Sequence, residues 1–462
     1  MTLPAASAPP HRPLVTEPVA RILATSTTPL ALALLVMFGV QLAEAWLVAR
    51  LGGGALAALG FALPVVMTAM SFGIGLGAGA SAVVGRALGG GEAGVPRLCA
   101  HVLLLAALLG VIVGLPFFAA APWLLGLLGA ESEVLTAATG FLRIWLVGLV
   151  PLLVGMSALS LLRAAGDTRF QGAALAGAGL LAFALDWPLM FGIPGLWAGL
   201  GLPGLAVAAG LSWTAMLAAG AWRMRRLGLL VPDAAPHPAG MGAATRRLLR
   251  IAVPAAATNA IIPLASGIFT AMIAAHGPQA VAGFALGTRL EALAMTCFFA
   301  LSALANPFAA QNAGAGRPER VREGLRAMLL FCAGFGLVLA LPLWLAAQPL
   351  AAWLTGDPAV ARSAALYLTL LPWGFGAIGA ISVVNAVFNG LERPMAAVAV
   401  SLGRTLLIGV PAAWLGGRLA GEWGTLAGIL LGNLVVAALA AAWVLRVARA
   451  EAEASNAAPV PA

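Results

Sequence analysis

Apolar residues recur in runs of about 20, the length that crosses a bilayer as a helix, and short connectors between them hold most of the charge. The runs fall near 29–48, 55–78, 97–120, 137–158, 171–191 and 203–222, then near 247–272, 280–303, 322–345, 362–386, 395–414 and 424–447. Runs this long exclude a transmembrane β-barrel, whose strands are about ten residues and alternate in polarity. The pattern predicts an all-α integral membrane protein with twelve transmembrane helices.

The two sets of six are related. A shift of 225 residues aligns Pro29 with Pro254, Gly52 with Gly277, Gly89 with Gly314 and Gly91 with Gly316. Ala55/Ala280, Met70/Met295 and Leu76/Leu301 also coincide, but the proline and glycines carry the weight in so alanine-rich a chain. Six helices separate equivalent positions, so both halves have the same membrane orientation. The expected symmetry is a pseudo-two-fold axis along the membrane normal, as in transporters built from parallel repeats. The division that follows is a tail (1–24), an N-lobe (25–225), a linker (226–246), a C-lobe (247–449) and a second tail (450–462). Residues 1–45, with Ala43-Glu44-Ala45 near their end, also have the look of a secretory leader. Their repeat partner at 250–272 is an internal span, which favours a first transmembrane helix instead.

Composition narrows the function. Of 462 residues 62% are hydrophobic and only 9% charged, against roughly a quarter charged in soluble domains. That excludes a soluble enzyme, and the hydrophobicity excludes disorder. All 25 basic residues are arginine. Without lysine there is no Walker loop for ATP and no Schiff-base chemistry. The net charge of +9 is scattered through connectors, so no basic face for nucleic acid is expected. Alternate connectors divide the arginines 19 to four, with Arg50, Arg143, Arg362 and Arg418 on the sparse side and Arg289 and Arg404 within spans. By the positive-inside rule both termini face the cytoplasm, and a bacterial inner membrane is the expected location. Trp123, Trp197, Trp353 and Trp423 lie at predicted outer ends, where an aromatic belt belongs.

Cys99, Cys297 and Cys332 are odd in number and widely spaced; they fit small buried hydrophobes rather than a disulfide or zinc framework. His11, His101, His237 and His276 lie in or beside connectors without ligand spacing, so no metal site is expected. No hydrolase motif is present, and the chain is not expected to be an enzyme.

Ionisable groups inside a bilayer are costly and mark candidate sites. Glu44 lies eight residues before Gly52, about 12 Å from the outer end of its helix. Asp186 lies six residues before Gly192 on a helix running the same way. Two carboxylates at one depth of one lobe can load and release a proton; the alternative is that each reaches the outer interface or caps a helix. Glu291 falls near the middle of the eighth span, and Arg289, two residues away, points to another face. Glu291 is read either as a substrate or cation ligand or as the structural partner of Arg404 on the eleventh span. The run Gly73–Gly79 has the look of a phosphate loop, but it lies within a span and offers small-xxx-small pairs for helix packing. Pro29 and Pro254 are read as kinks, able to act as hinges, or as helix starts.

The stretch Leu162-Arg163-Ala164-Ala165-Gly166-Asp167-Thr168-Arg169 is similar to the L-R-G/A-x-G-D-T-R segment of the multidrug and toxic compound extrusion (MATE) transporters. Glu44-Ala45-Trp46-Leu47-Val48-Ala49-Arg50-Leu51-Gly52 is similar to that family's D-T-x-x-V-G-R-L-G. Arg289-Leu290-Glu291-Ala292 with Gln311-Asn312-Ala313-Gly314-Ala315-Gly316 is similar to R-x-E-A…Q-N-x-G-A-G, and Asp186-Trp187-Pro188-Leu189-Met190-Phe191 to L-D-P-L-x-F. The resemblance spans about 25–447. It implies a cation-coupled antiporter that expels organic cations and amphipathic drugs by alternating access, works without an organic cofactor and is expected to act as a monomer. It assigns the N-lobe coupling acids to Glu44 and Asp186, and the kinking proline of the first helix to Pro29.

The departures have consequences. Position 44 is Glu where the family usually has Asp, and Ala182 stands where an Asn often precedes the fifth-helix acid. The acid that some members carry on the seventh helix has no counterpart: Asn259 is the polar residue there, and Phe269 is the repeat equivalent of Glu44. These features favour H⁺ coupling in the N-lobe over Na⁺ coupling in the C-lobe. Asn259 and Glu291 remain candidates for a second site. Trp46 and Trp187, beside the acids, either stack on a cationic ring or serve packing. Asp167 suits a turn and helix N-cap. A lipid-linked oligosaccharide flippase would share the architecture but calls for a more cationic cleft than Arg289 and Arg404 supply.

Overall fold

The computed structural model describes residues 13–231 and 238–457, so His11, Arg12, His237 and parts of both tails and the linker lie outside the described residues. Within them the secondary structure is helical, with one isolated bridge between Ile193 and Trp197. A single helical turn, Pro13–Thr16, precedes the first span.

The helices of the first repeat are α1 (Val19–Arg50), α2 (Gly53–Gly90), α3 (Val95–Leu127), α4 (Ser132–Val147 continuing as Leu149–Ala164), α5 (Thr168–Phe191) and α6 (Leu202–Arg226). The second repeat has α7 (Pro238–Ala274), α8 (Pro278–Ala294 continuing as Thr296–Gly314), α9 (Pro318–Leu345) and α10 (Pro358–Gly390). Next come α11, from Pro394 to a break at Ala420 and Gly421, and α12, from that break to Ala457. Among the described residues, nine helical stretches are long and apolar enough to cross a membrane, two bent pairs make further spans, and the break at Gly421 divides the last stretch in two. Gly421 has φ +62°, a left-handed conformation that glycine adopts without strain.

Most helices outrun their apolar cores. The second apolar run ends near 78, yet α2 continues to Gly90, where Gly91 in the left-handed region returns its N–H to Ala87 and Leu88. Hydropathy marks the lipid-facing length, whereas backbone hydrogen bonding carries the helix on until a glycine stops it.

Two spans bend, by 46° in α4 and 48° in α8. In α4 the cause is local: Pro151 has no N–H to offer the Val147 carbonyl, and the break falls at Val147 and Gly148. Shifted by the repeat, Gly148 falls on Trp373, inside the 3-10 turn Leu371–Gly374 that interrupts α10.

The described residues form two compact units, 29–231 with 238–256 in one and 13–28 with 257–457 in the other. Pro29 lies inside α1 and Pro254 inside α7, so neither starts a helix. Each lies where its helix passes from one unit to the other.

In the first unit the glycine run of α2 is a packing device. Gly73 and Gly77 face Leu153 and Ser160 of α4, while Gly75 and Gly79 face Ala252 and Leu248 of α7. A Cβ at Gly73 or Gly77 would come within 2.7 Å of its neighbour on α4. Asp167 caps α5 by accepting from the Phe170 N–H and also accepts from Arg223 Nε at 2.6 Å. The Leu162–Arg169 segment is therefore a braced turn.

In the second unit Asn312 and Arg320 hold the chain's start. Asn312 donates to the Leu14 carbonyl at 3.0 Å, and Arg320 donates to the Glu17 carbonyl at 2.6 Å and to Asn312 Oδ1 at 3.1 Å. Cys99 and Cys332 are buried, as their apolar surroundings predict, and Cys297 is half-buried.

Candidate functional site

Two helices of the first unit run side by side because small residues recur at heptad spacing. Gly172, Gly179 and Asp186 form one buried stripe of α5. Facing them on α1 are Pro29, Met37 and Glu44. A Cβ at Gly172 would lie 2.6 Å from the Pro29 carbonyl oxygen, and one at Gly179 would lie 2.6 Å from the Met37 sulfur. Seven- or eight-residue steps on both helices advance them by about 10–12 Å per layer. The third layer is the carboxylate pair.

Asp186 is fully buried, and neither of its oxygens accepts a hydrogen bond from the described residues. Glu44 is half-buried and near enough for the two charges to repel. The arrangement has two acids, apolar neighbours and, among the described residues, no facing arginine in hydrogen-bond contact. A buried carboxylate without a partner is far from a stabilising feature, which makes the pair a candidate site for taking up a cation or proton.

Trp46 and Trp187, next to the acids in sequence, are both half-exposed and share one cation. The Arg50 guanidinium lies 4.1 Å from the Trp46 ring centroid and 5.9 Å from that of Trp187. Trp187 also packs on Phe191 at 4.8 Å. The chain's own Arg50 thus occupies the aromatic face beside the pair.

Glu291 is in the second unit, on a cavity of about 380 Å³ that Arg404 also lines. Their charges interact, yet each makes its hydrogen bond elsewhere. Glu291 accepts from the Tyr367 hydroxyl, and Arg404 Nε donates to Asn433 Oδ1 at 2.8 Å. Arg289 is exposed on another face of α8, and Asn259 does not line this cavity. Tyr367 and Asn433 escaped the sequence reading. The signal available was that Tyr367 is the sole tyrosine of the chain, in an apolar span where a phenol needs a partner.

The MatE family profile matches residues 29–187 and 254–415, two stretches that begin at the aligned prolines. The chain belongs to the MATE family. It is 34% identical over 428 residues to the FAD transporter of Shewanella oneidensis, covering 92% of this chain and 94% of that one. It is 30% identical over 141 residues to a probable multidrug resistance protein NorM of Neisseria meningitidis, covering 30% of each. Among solved structures, the bent form of the Vibrio cholerae MATE transporter VcmN superposes with a TM-score of 0.88 at 27% identity, covering 94% of this chain and 98% of that one. A MATE crystal structure in the straight conformation gives a TM-score of 0.88 at 20% identity, covering 96% and 98%. The protein is therefore a multi-pass membrane transporter with the twelve-helix MATE fold, and it is not an enzyme.

Proposed function

We propose that this MATE protein is a secondary exporter that drives amphipathic small molecules, organic cations among them, out of the cell by letting protons in through Glu44 and Asp186. The carrying observation is the carboxylate pair, Asp186 fully buried and Glu44 half-buried, which no arginine among the described residues neutralises by hydrogen bonding. In water-poor surroundings such a pair exchanges its charge by taking or releasing a proton. The proton-loaded and proton-free pair favour different packings of α1 against α5, so a substrate that prefers one packing is coupled to proton movement by a population shift. Residue types also favour H⁺ over Na⁺: two carboxylates and apolar neighbours can take a proton, whereas a hard cation calls for six or so oxygen ligands. In this reading both termini are cytoplasmic and the membrane is the bacterial inner membrane.

A second substrate reading has support in one observation, the whole-length similarity to a protein named FAD transporter. Under it the cargo is an aromatic dinucleotide rather than a cationic drug, and the coupling site is unchanged. Proteoliposomes containing purified protein separate the readings. Inward pH and Na⁺ gradients are imposed in turn, and export of ethidium and of FAD is measured. The proposal expects ethidium export under the pH gradient alone. FAD export without ethidium export transfers the chain to the second reading, and export driven only by Na⁺ removes the proton from both.

A further inference from the structure

The internal repeat sets the cavity of the second unit against the carboxylate site of the first. Shifted by 225 residues, Glu44 becomes Phe269, which lines the cavity. Arg404, on the helix equivalent to α5, also lines it and falls opposite Gly179 of the first repeat. Where one unit offers two acids, the other sets an arginine beside a single acid, Glu291.

Three observations show that this arginine is presented rather than merely neutralised. First, it belongs to a π-helical stretch, Gly403–Gly409, inside α11. Such turns are uncommon and re-aim side chains, frequently at functional sites. The turn is accommodated by Gly409, whose Cα approaches Gly432 of α12 so closely that a Cβ on Gly432 would lie 2.8 Å away. Second, Arg404 makes a single hydrogen bond among the described residues, from Nε to Asn433. That bond fixes the guanidinium plane and leaves both terminal nitrogens, the fork that grips a carboxylate or phosphate in two places. Third, Glu291 has its own neutral partner in Tyr367, which is held between Gly287 and the Phe284 ring. A ligand carboxylate or phosphate can therefore compete for the guanidinium without stripping Glu291 of its hydrogen bond.

The remaining wall suits a flat organic body. Phe269, Phe284 and Phe299 line it, and Asn385, tied to Ser401 through its amide nitrogen at 3.0 Å, adds a buried carbonyl oxygen with no partner among the described residues. At about 380 Å³ the space lies within the range of small-molecule sites.

We infer that this cavity binds an amphipathic organic anion, whose carboxylate or phosphate group pairs with Arg404 while its apolar body lies against the phenylalanines. The inference concerns binding in the second unit alone and is independent of which ion drives transport through the first.

Isothermal titration of the purified full-length protein in phosphatidylcholine nanodiscs tests it, with 2-naphthoate and 2-naphthyl phosphate as anions and 2-naphthamide as the uncharged probe. The anions are expected to bind at least about tenfold more tightly than the amide, the scale of one well-made charge-assisted contact. Arg404→Gln should bring them down to the amide's level, while Arg289→Gln, which removes an exposed arginine outside the cavity, should change nothing. Equal affinity for anions and amide in the wild type overturns the inference, as does unchanged anion binding in Arg404→Gln. If that variant does not fold, Arg404→Lys decides: it keeps the cation but not the fork, so the anions should weaken and the amide should not. Undiminished anion binding in Arg404→Lys counts against the assigned contact. Repeating the titration in phosphatidylglycerol nanodiscs identifies the natural source. Weaker naphthyl phosphate binding there points to a competing lipid phosphate, and unchanged binding points to a soluble anion.

Discussion

Asp186→Asn is expected to reduce pH-driven export in proteoliposomes to the level of protein-free vesicles. The amide has the size and shape of the carboxyl group but cannot carry a proton between the two faces of the membrane. Because the native side chain is fully buried and accepts no hydrogen bond among the described residues, the substitution removes no stabilising contact. The purified variant should therefore melt at or slightly above the wild-type temperature, since an unpaired buried charge is unfavourable to begin with. Substrate-for-substrate exchange, which needs no net proton movement, should persist. A variant that still exports against a gradient would show that the proton travels by another route. One that fails to fold would show that Asp186 has a structural partner instead.

The second large effect is expected at a glycine two helix layers away from the carboxylate pair. Gly172→Val places a Cβ about 2.6 Å from the Pro29 carbonyl oxygen, a backbone atom that cannot rotate aside. The valine must push α1 away from α5, and overpacking of this kind costs about 1–3 kcal/mol. Because Gly172, Gly179 and Asp186 share one stripe, the displacement carries up to the third layer and separates Glu44 from Asp186. Export should fall sharply although both carboxylates are intact. Gly177→Val is the matched control, since a Cβ there meets nothing within 4 Å. It should melt and transport as the wild type does. If the two variants behave alike, close approach of α1 and α5 is not what assembles the site.

The charges in apolar spans were legible because a bilayer penalises them regardless of neighbours. Reading Glu44 and Asp186 at one depth required only helix rise and a shared direction, and the structure brings them together. Their alignment through Gly172 and Gly179 follows the same heptad arithmetic. The partner of Arg404 was not legible. Glu291 was the obvious candidate by charge, but which side chains meet across helices depends on the π-helical turn at Gly403–Gly409 and the close approach of Gly409 and Gly432, neither of which has a periodic signature. The same holds for Tyr367: its rarity marked it, but only packing placed it on Glu291. Helix ends were underestimated for a simpler reason, since hydropathy reports the lipid-facing stretch and says nothing of a helix that continues into water. Pro29 and Pro254 were ambiguous between helix start and interior kink because a proline fits both the first turn and a tolerated break in a membrane helix.

In the proposed mechanism Glu44, with Asp186, carries the coupling proton, and counting protons and substrate together in vesicles containing wild-type protein or Glu44→Gln decides whether it does. Wild-type vesicles should show proton movement that starts when substrate is added and keeps a constant ratio to the substrate exported. Glu44→Gln should show no substrate-dependent proton movement. Full substrate-coupled proton flux in Glu44→Gln would rule out that role for Glu44.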